Sequence, residues 1–170
     1  YNVKLIEGGK DALGEKLSIA SKVGHYYDKI FLIFFKCNWQ ADAMSKAMKD
    51  KKTNDAEQSR NSLIKFANEG LIGLDSLKQF QGDPSIALAC KQVLLFYKKA
   101  AENDIPKIMD FYLKEDAFTK MKAAMDSKSN RTKEDVDAYN KGVNDFNAAV
   151  NQYNQLNSNY VNNRNKNVQD

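Results

Sequence analysis

Residues 29–39 read "KIFLIFFKCNW", and within them Ile30 to Phe35 form six consecutive side chains without a polar atom. A membrane segment, a buried strand and a core helix would each contain such a run. A bilayer span needs roughly twenty apolar residues, and here Lys29 and Lys36 close the run after six. The surrounding spacing decides between strand and helix. Leu17, Ala20, Val23, Tyr27, Ile30, Phe34, Ala41, Met44 and Met48 follow one another mainly in steps of three and four, which keeps one helical face apolar for nearly forty residues. The stretch therefore belongs to a long helix beginning near Asp11, and it is apolar nearly all round. It should be covered on more than one side. If a bundle leaves Phe31 and Phe35 uncovered, they mark a contact surface.

Working outward, "YNVKLIEGGK" at 1–10 reads as a leader ended by Gly8-Gly9, with residues 11–170 forming a single helical domain. After "TND" at 53–55 a second helix is predicted through Leu63, Ala67, Gly70, Leu74, Leu77 and Phe80, with Asn54 or Asp55 as its cap. A glycine on its packed face would let a neighbouring helix come close. "FQGDPS" at 80–85 punctuates the chain: Gly82 suits a left-handed position, Asp83 an N-cap and Pro84 the first helical turn. The third helix carries Ala87, Cys90, Leu94, Tyr97 and Ala101. Pro106 removes a backbone donor, but the apolar spacing resumes at Ile105, Ile108, Tyr112, Phe118, Met121 and Met125, so a kinked continuation is predicted. Thr132 and Asp135 form a capping-box pattern ahead of a seam of Val136, Tyr139, Val143, Phe146, Val150, Tyr153, Leu156 or Asn157, and Tyr160. Asparagine crowds the other faces of this last helix and predicts a frayed end. The fold implied is all-α: an up-down-up-down antiparallel four-helix bundle with long helices, the third kinked near Pro106.

Composition narrows function mainly by exclusion. The 26 basic and 22 acidic residues give a net charge of +4 with no basic face, which argues against nucleic acid as a partner. The densest basic run, "KDKK" at 49–52, falls at a turn. His25 is the only histidine, and Lys22 stands where a Glu-x-x-His motif would need its glutamate, so a di-iron bundle site is excluded. No nucleophile turn, P-loop, dinucleotide fingerprint or CxxCH is present. Glu102, Asp104, Asp110, Glu115 and Asp116 gather near the third helix's kink, but Lys98, Lys99, Lys107, Lys114 and Lys120 beside them favour surface pairing over metal. Cys37 and Cys90 read as small buried hydrophobes or, alternatively, as a disulfide between neighbouring helices. No enzyme, metal or cofactor is expected.

Adjacent aromatics remain: Tyr26-Tyr27, Phe34-Phe35, Phe96-Tyr97 and Phe111-Tyr112. Neighbours on a helix lie about 100° apart, so one member of each pair falls toward a flank, where it either widens the core stripe or meets a partner.

"HYYDKI" on the first helix, "FQGDPS" between the second and third, and "LLFYKK" a dozen residues later resemble a family of uncharacterised bacterial surface or periplasmic lipoproteins of helical-bundle type. The matching positions are Tyr27 and Asp28, Gly82 and Asp83, and Phe96 and Tyr97, to which Phe31 and Phe35 are added as candidate contact residues. The resemblance implies export, an extracytoplasmic location and a lipidated cysteine; neither Cys37 nor Cys90 fits that role, and the chain opens on Tyr1, so the anchor is expected upstream. The function expected is a non-enzymatic binding or structural module of the cell envelope with a protein or envelope partner. The alternative is a bundle holding an apolar ligand or haem between its helices.

Overall fold

A computed structural model describes residues 12–169, and the expected leader lies outside them. The described residues are helical apart from short connections and contain no strand: α1 Ala12–Lys49, α2 Thr53–Ser76, α3 Ser85–Lys99, a π-turn Ala100–Asp104, α4 Ile105–Asp126 and α5 Lys133–Gln169. Helices α3 and α4 run into each other through the π-turn, so four rods pack up-down-up-down as the sequence predicts.

Local chemistry accounts for each turn. The first ends in a Schellman motif: the Lys52 N–H donates to the Ala47 carbonyl at 2.8 Å and the Lys51 N–H to that of Met48 at 3.1 Å. Lys51 takes the left-handed position, φ +55°, that glycine would hold without strain. Helix α2 then starts from Lys52 with no side-chain cap, so neither Asn54 nor Asp55 caps it; both lie within the first helical turn. It also ends earlier than the apolar spacing predicts. Leu77 and Phe80 fall beyond Ser76 in the connection, and they are apolar because Leu77 packs on the core and Phe80 against the Tyr26 ring, 5.9 Å away. Gln81 (φ +51°) and Gly82 (φ +81°) then make a tight turn closed by the Asp83 N–H on the Phe80 carbonyl at 2.9 Å. Helix α3 starts one residue later than predicted, with Pro84 rather than Asp83 at the N-cap and no side-chain cap; Asp83 instead accepts the Ser85 N–H through Oδ1 at 2.9 Å, which holds its carboxyl below the usual range. Thr132 and Asp135 exchange both capping-box hydrogen bonds, at 3.1 and 3.2 Å. The asparagine-rich end predicted to fray stays helical to Gln169.

Pro106 has a defined effect. In a π-turn each N–H donates to the carbonyl five residues back, as Ile105 does to Ala100. Proline has no proton for the next bond in that series, which would fall on Ala101. The Arg60 guanidinium supplies it from α2, Nη1 lying 3.0 Å from the Ala101 carbonyl, and Glu57 holds the same guanidinium at 2.7 Å.

The core lies where all four rods meet. Tyr97, Met44, Leu63, Leu94, Ile105, Ile108 and Cys37 are fully buried there. Gly70 sits at a close approach of three rods: a Cβ on it would fall 2.5 Å from Leu94 Cδ2 and 2.7 Å from Ile33 Cγ2, so α1 and α3 both close on α2 at this point. The upper half of α5 is keyed to α1 by Arg164 Nη2 donating to Asp42 Oδ1 at 2.5 Å and to α3 by the Tyr160 ring stacked on Phe96 at 6.0 Å, while Tyr97 Oη donates to Asn38 Oδ1 at 2.8 Å and ties α3 to α1. Below the core, α4 and the lower half of α5 run on as a two-helix arm. There Phe118 stacks on Phe146 at 4.4 Å and Phe111 on Tyr153 at 4.3 Å. At the other end α1 extends alone, and every residue from 12 to 23 is exposed. Leu17, Ala20 and Val23, read from their spacing as part of the inward face, point at no neighbouring rod; the buried stripe of α1 begins at Ile30.

Candidate functional site: the outward face of helix α1

Tyr27, Phe31, Phe35 and Trp39 follow one another at intervals of four along α1. Their rings form a ladder with successive centroids 6.0, 5.9 and 6.0 Å apart. Each is between 42 and 63% exposed. The ring contacts within the ladder run from one member to the next, and α3 and the end of α5 border it only along the Tyr27–Phe31 side. At 100° per residue the three steps rotate the ladder about 120° around the helix, away from the inward stripe of Ile30, Cys37, Ala41, Met44 and Met48. Leu32 is exposed beside it, and Leu13 and Leu17 extend it along the projecting arm.

Three of the candidate residues, Tyr27, Phe31 and Phe35, thus come together, and Asp28 lies exposed among them. The other four go elsewhere. Gly82 and Asp83 shape the turn before α3. Phe96 and Tyr97 belong to the core, where burial pushes the Tyr97 phenol up to about 12. The adjacent pairs split unevenly. In α1, Tyr26 and Phe34 are half-buried while Tyr27 and Phe35 face outward; in α4 both Phe111 and Tyr112 are half-buried against α5. Trp39 and Leu13 complete the outward face and were not singled out from the sequence. The interval of four from Tyr27 onward carries the signal for Trp39.

Other chemistry is unremarkable in placement. His25 is exposed, with Nδ1 2.8 Å from the Ser21 carbonyl of its own helix. Cys37 and Cys90 are separate buried thiols; burial, and for Cys37 the nearby Cys90, pushes Cys37 up to about 12, while burial alone pushes Cys90 up to about 11. Both stay protonated at neutral pH and are poor nucleophiles. Four of the five acidic residues gathered around the π-turn pair with lysines: Glu102 with Lys98, Asp110 with Lys114, Glu115 with Lys51 and Asp116 with Lys120. Among the described residues, no three His, Cys, Asp or Glu side chains converge as metal ligands would.

Recesses are open grooves rather than enclosed chambers. One, about 710 Å³, runs along the α4–α5 arm between Lys107, Phe111, Gln152, Tyr153 and Leu156. A second, about 490 Å³, lies against the ladder between Tyr27, Phe31, Ile86, Cys90 and Val168. No described helix is long and apolar enough to cross a membrane. No family model, curated protein or solved structure matches the chain.

Proposed function

We propose that this protein is a non-enzymatic, exported binding module of the bacterial cell envelope and that the outward face of α1 is its contact surface. The observation that carries this reading is the ladder of Tyr27, Phe31, Phe35 and Trp39, an apolar patch continuous over three helical turns and left uncovered by its own bundle. Three further features support it. The lone histidine is occupied with its own helix, both thiols are buried and protonated, and "HYYDKI", which carries part of the lipoprotein resemblance, places Tyr27 and Asp28 on this same face. Export and a lipid anchor follow from that resemblance.

Two measurements test the proposal. Fractionation of cells expressing the tagged native gene should recover the protein outside the cytoplasm; recovery with cytosolic markers sinks the export reading. Trp39 is the only tryptophan and lies on the proposed surface, so its fluorescence reports directly on occupancy. Titration with solubilised envelope fractions should shift its emission to the blue, and Phe31→Glu should abolish the shift. An emission unchanged by every envelope fraction removes the contact surface.

A small-molecule role is the second reading, and the grooves favour a surface site over one between the helices. The side chains at the centre of the bundle fill it, whereas Phe111, Tyr153 and Leu156 offer an apolar floor in the α4–α5 groove. Native mass spectrometry of the freshly purified protein tests this directly: a co-purifying ligand displaced by Phe111→Glu supports it, and a bare polypeptide mass counts against it.

A further inference from the structure

We infer that the outward face of α1 pairs with the same face of a second copy of this chain, the two helices crossing antiparallel. The inference rests on the reading of this face as a contact surface and names its occupant. The seam consists of Leu13, Leu17, Ala20, Gly24, Tyr27 and Phe31, spaced four, three, four, three and four. At 100° per residue all six fall within about 80° of one another, and alternation of three and four is the pattern by which one helix packs along another. The seam is also symmetric about position 22. A two-fold axis there sets Leu13 against Phe31 of the other copy, Leu17 against Tyr27 and Ala20 against Gly24. Large side chains meet at the two ends and small ones at the crossing.

Gly24 adds independent weight. It lies inside α1, where glycine costs about 1 kcal/mol relative to alanine. Three glycines in the other helices sit against neighbours: a Cβ would come within 2.5 Å of Leu94 at Gly70, 3.4 Å of Ile33 at Gly73 and 2.1 Å of Met121 at Gly142. At Gly24 a Cβ would meet nothing within 4 Å. No contact among the described residues accounts for this glycine, whereas a second backbone crossing at Ala20 and Gly24 does.

Size and charge agree with a second copy. On the seam itself Leu13, Leu17, Tyr27 and Phe31 are exposed by about half or more of their surface; at roughly 200 Å² per side chain they offer on the order of 400 Å² per copy, the size of a small, reversible interface. No charged residue occupies the seam. The two-fold brings Lys16 level with Asp28 of the other copy, which sets opposite charges rather than like ones at the same height. Lys22 and Lys29 lie on the far side of the helix, and among the described residues neither forms an ion pair.

Sedimentation equilibrium of the full chain over a range of concentrations tests the inference, with circular dichroism checking that each variant keeps its helix. The wild type should show twice the mass of one chain. Gly24→Leu, which has room in the single chain but not at a crossing, and Phe31→Glu should each weaken association about tenfold or more. Ile72→Glu, at an exposed apolar residue on α2, should leave it unchanged. A wild type monomeric throughout overturns the inference, as does a dimer that survives either seam substitution or is lost in Ile72→Glu. A monomer whose Trp39 emission still shifts with envelope fractions overturns self-association while leaving the contact surface standing. A dimer whose protein fractionates with the cytosol does the reverse for export.

Discussion

The two faces of α1 are made from similar residues and meet opposite fates. Ile30, Cys37, Ala41, Met44 and Met48 are buried against the other rods, while Tyr27, Phe31, Phe35 and Trp39, one or two positions away in sequence, face outward and touch mainly one another. The outward face carries the larger side chains. Hydrophobicity alone therefore does not decide burial: three neighbouring rods can surround only part of one helix, and an apolar residue on the remaining arc finds little cover among the described residues. The difference separates stability, held by the inward face, from association, held by the outward one.

Substitutions on each side should break that separation if it is wrong. The largest effect is expected at Leu94, which is fully buried against α1 and α2; Leu94→Ala should cost about 2–5 kcal/mol in urea unfolding. Alkaline pH should come next. Cys37 is raised from 9.0 to about 12 in the folded chain, so its neutral form is favoured by folding. That stability is fully present below pH 9 and is lost as pH rises toward 12. The loss from this thiol reaches at most about 2 kcal/mol by pH 10.5, and Cys37→Ala should flatten the decline. Gly70→Ala follows, because the new methyl meets Leu94 and Ile33; a net cost of about 1–2 kcal/mol is expected from overpacking. Gly24→Ala should do the opposite. With nothing within 4 Å, it should raise the stability of the single chain by up to about 1 kcal/mol, measured at a concentration too low for association. Phe31→Ala should be the smallest, within about 0.5 kcal/mol of wild type by thermal melting. A loss of several kcal/mol there would mean that the ladder is structural.

The sequence made some of this plain and hid the rest for definite reasons. The fold class followed from periodicity, since each rod carries one apolar stripe. The capping box at Thr132–Asp135 was legible because capping is a local reaction between a side chain and the next turn. The end of α2 was not: Leu77 and Phe80 keep the helical spacing while serving the core from an irregular connection. Pro106 marked the site of an irregularity but not its form, because the width of a helical turn depends on a donor from another rod. The start of the buried stripe in α1 was also hidden, since Leu17 and Val23 have the right spacing but stand beyond the reach of the other rods. Of the candidate contact residues, Tyr27, Phe31 and Phe35 stand together, while Phe96 and Tyr97 were drawn into the core by α5. That docking joins residues far apart in the chain and leaves no local signal.

The bond from Arg60 to the Ala101 carbonyl has a consequence for descent. A proton that proline withholds from one rod is lent by a side chain 46 positions earlier in the sequence. Substituting Arg60 alone strands a buried acceptor, and substituting Pro106 alone leaves the guanidinium competing with a restored backbone proton. Changed together, the two positions yield an ordinary α-helical turn that needs no loan. Arg60 and Pro106 should therefore be inherited, or replaced, as a pair.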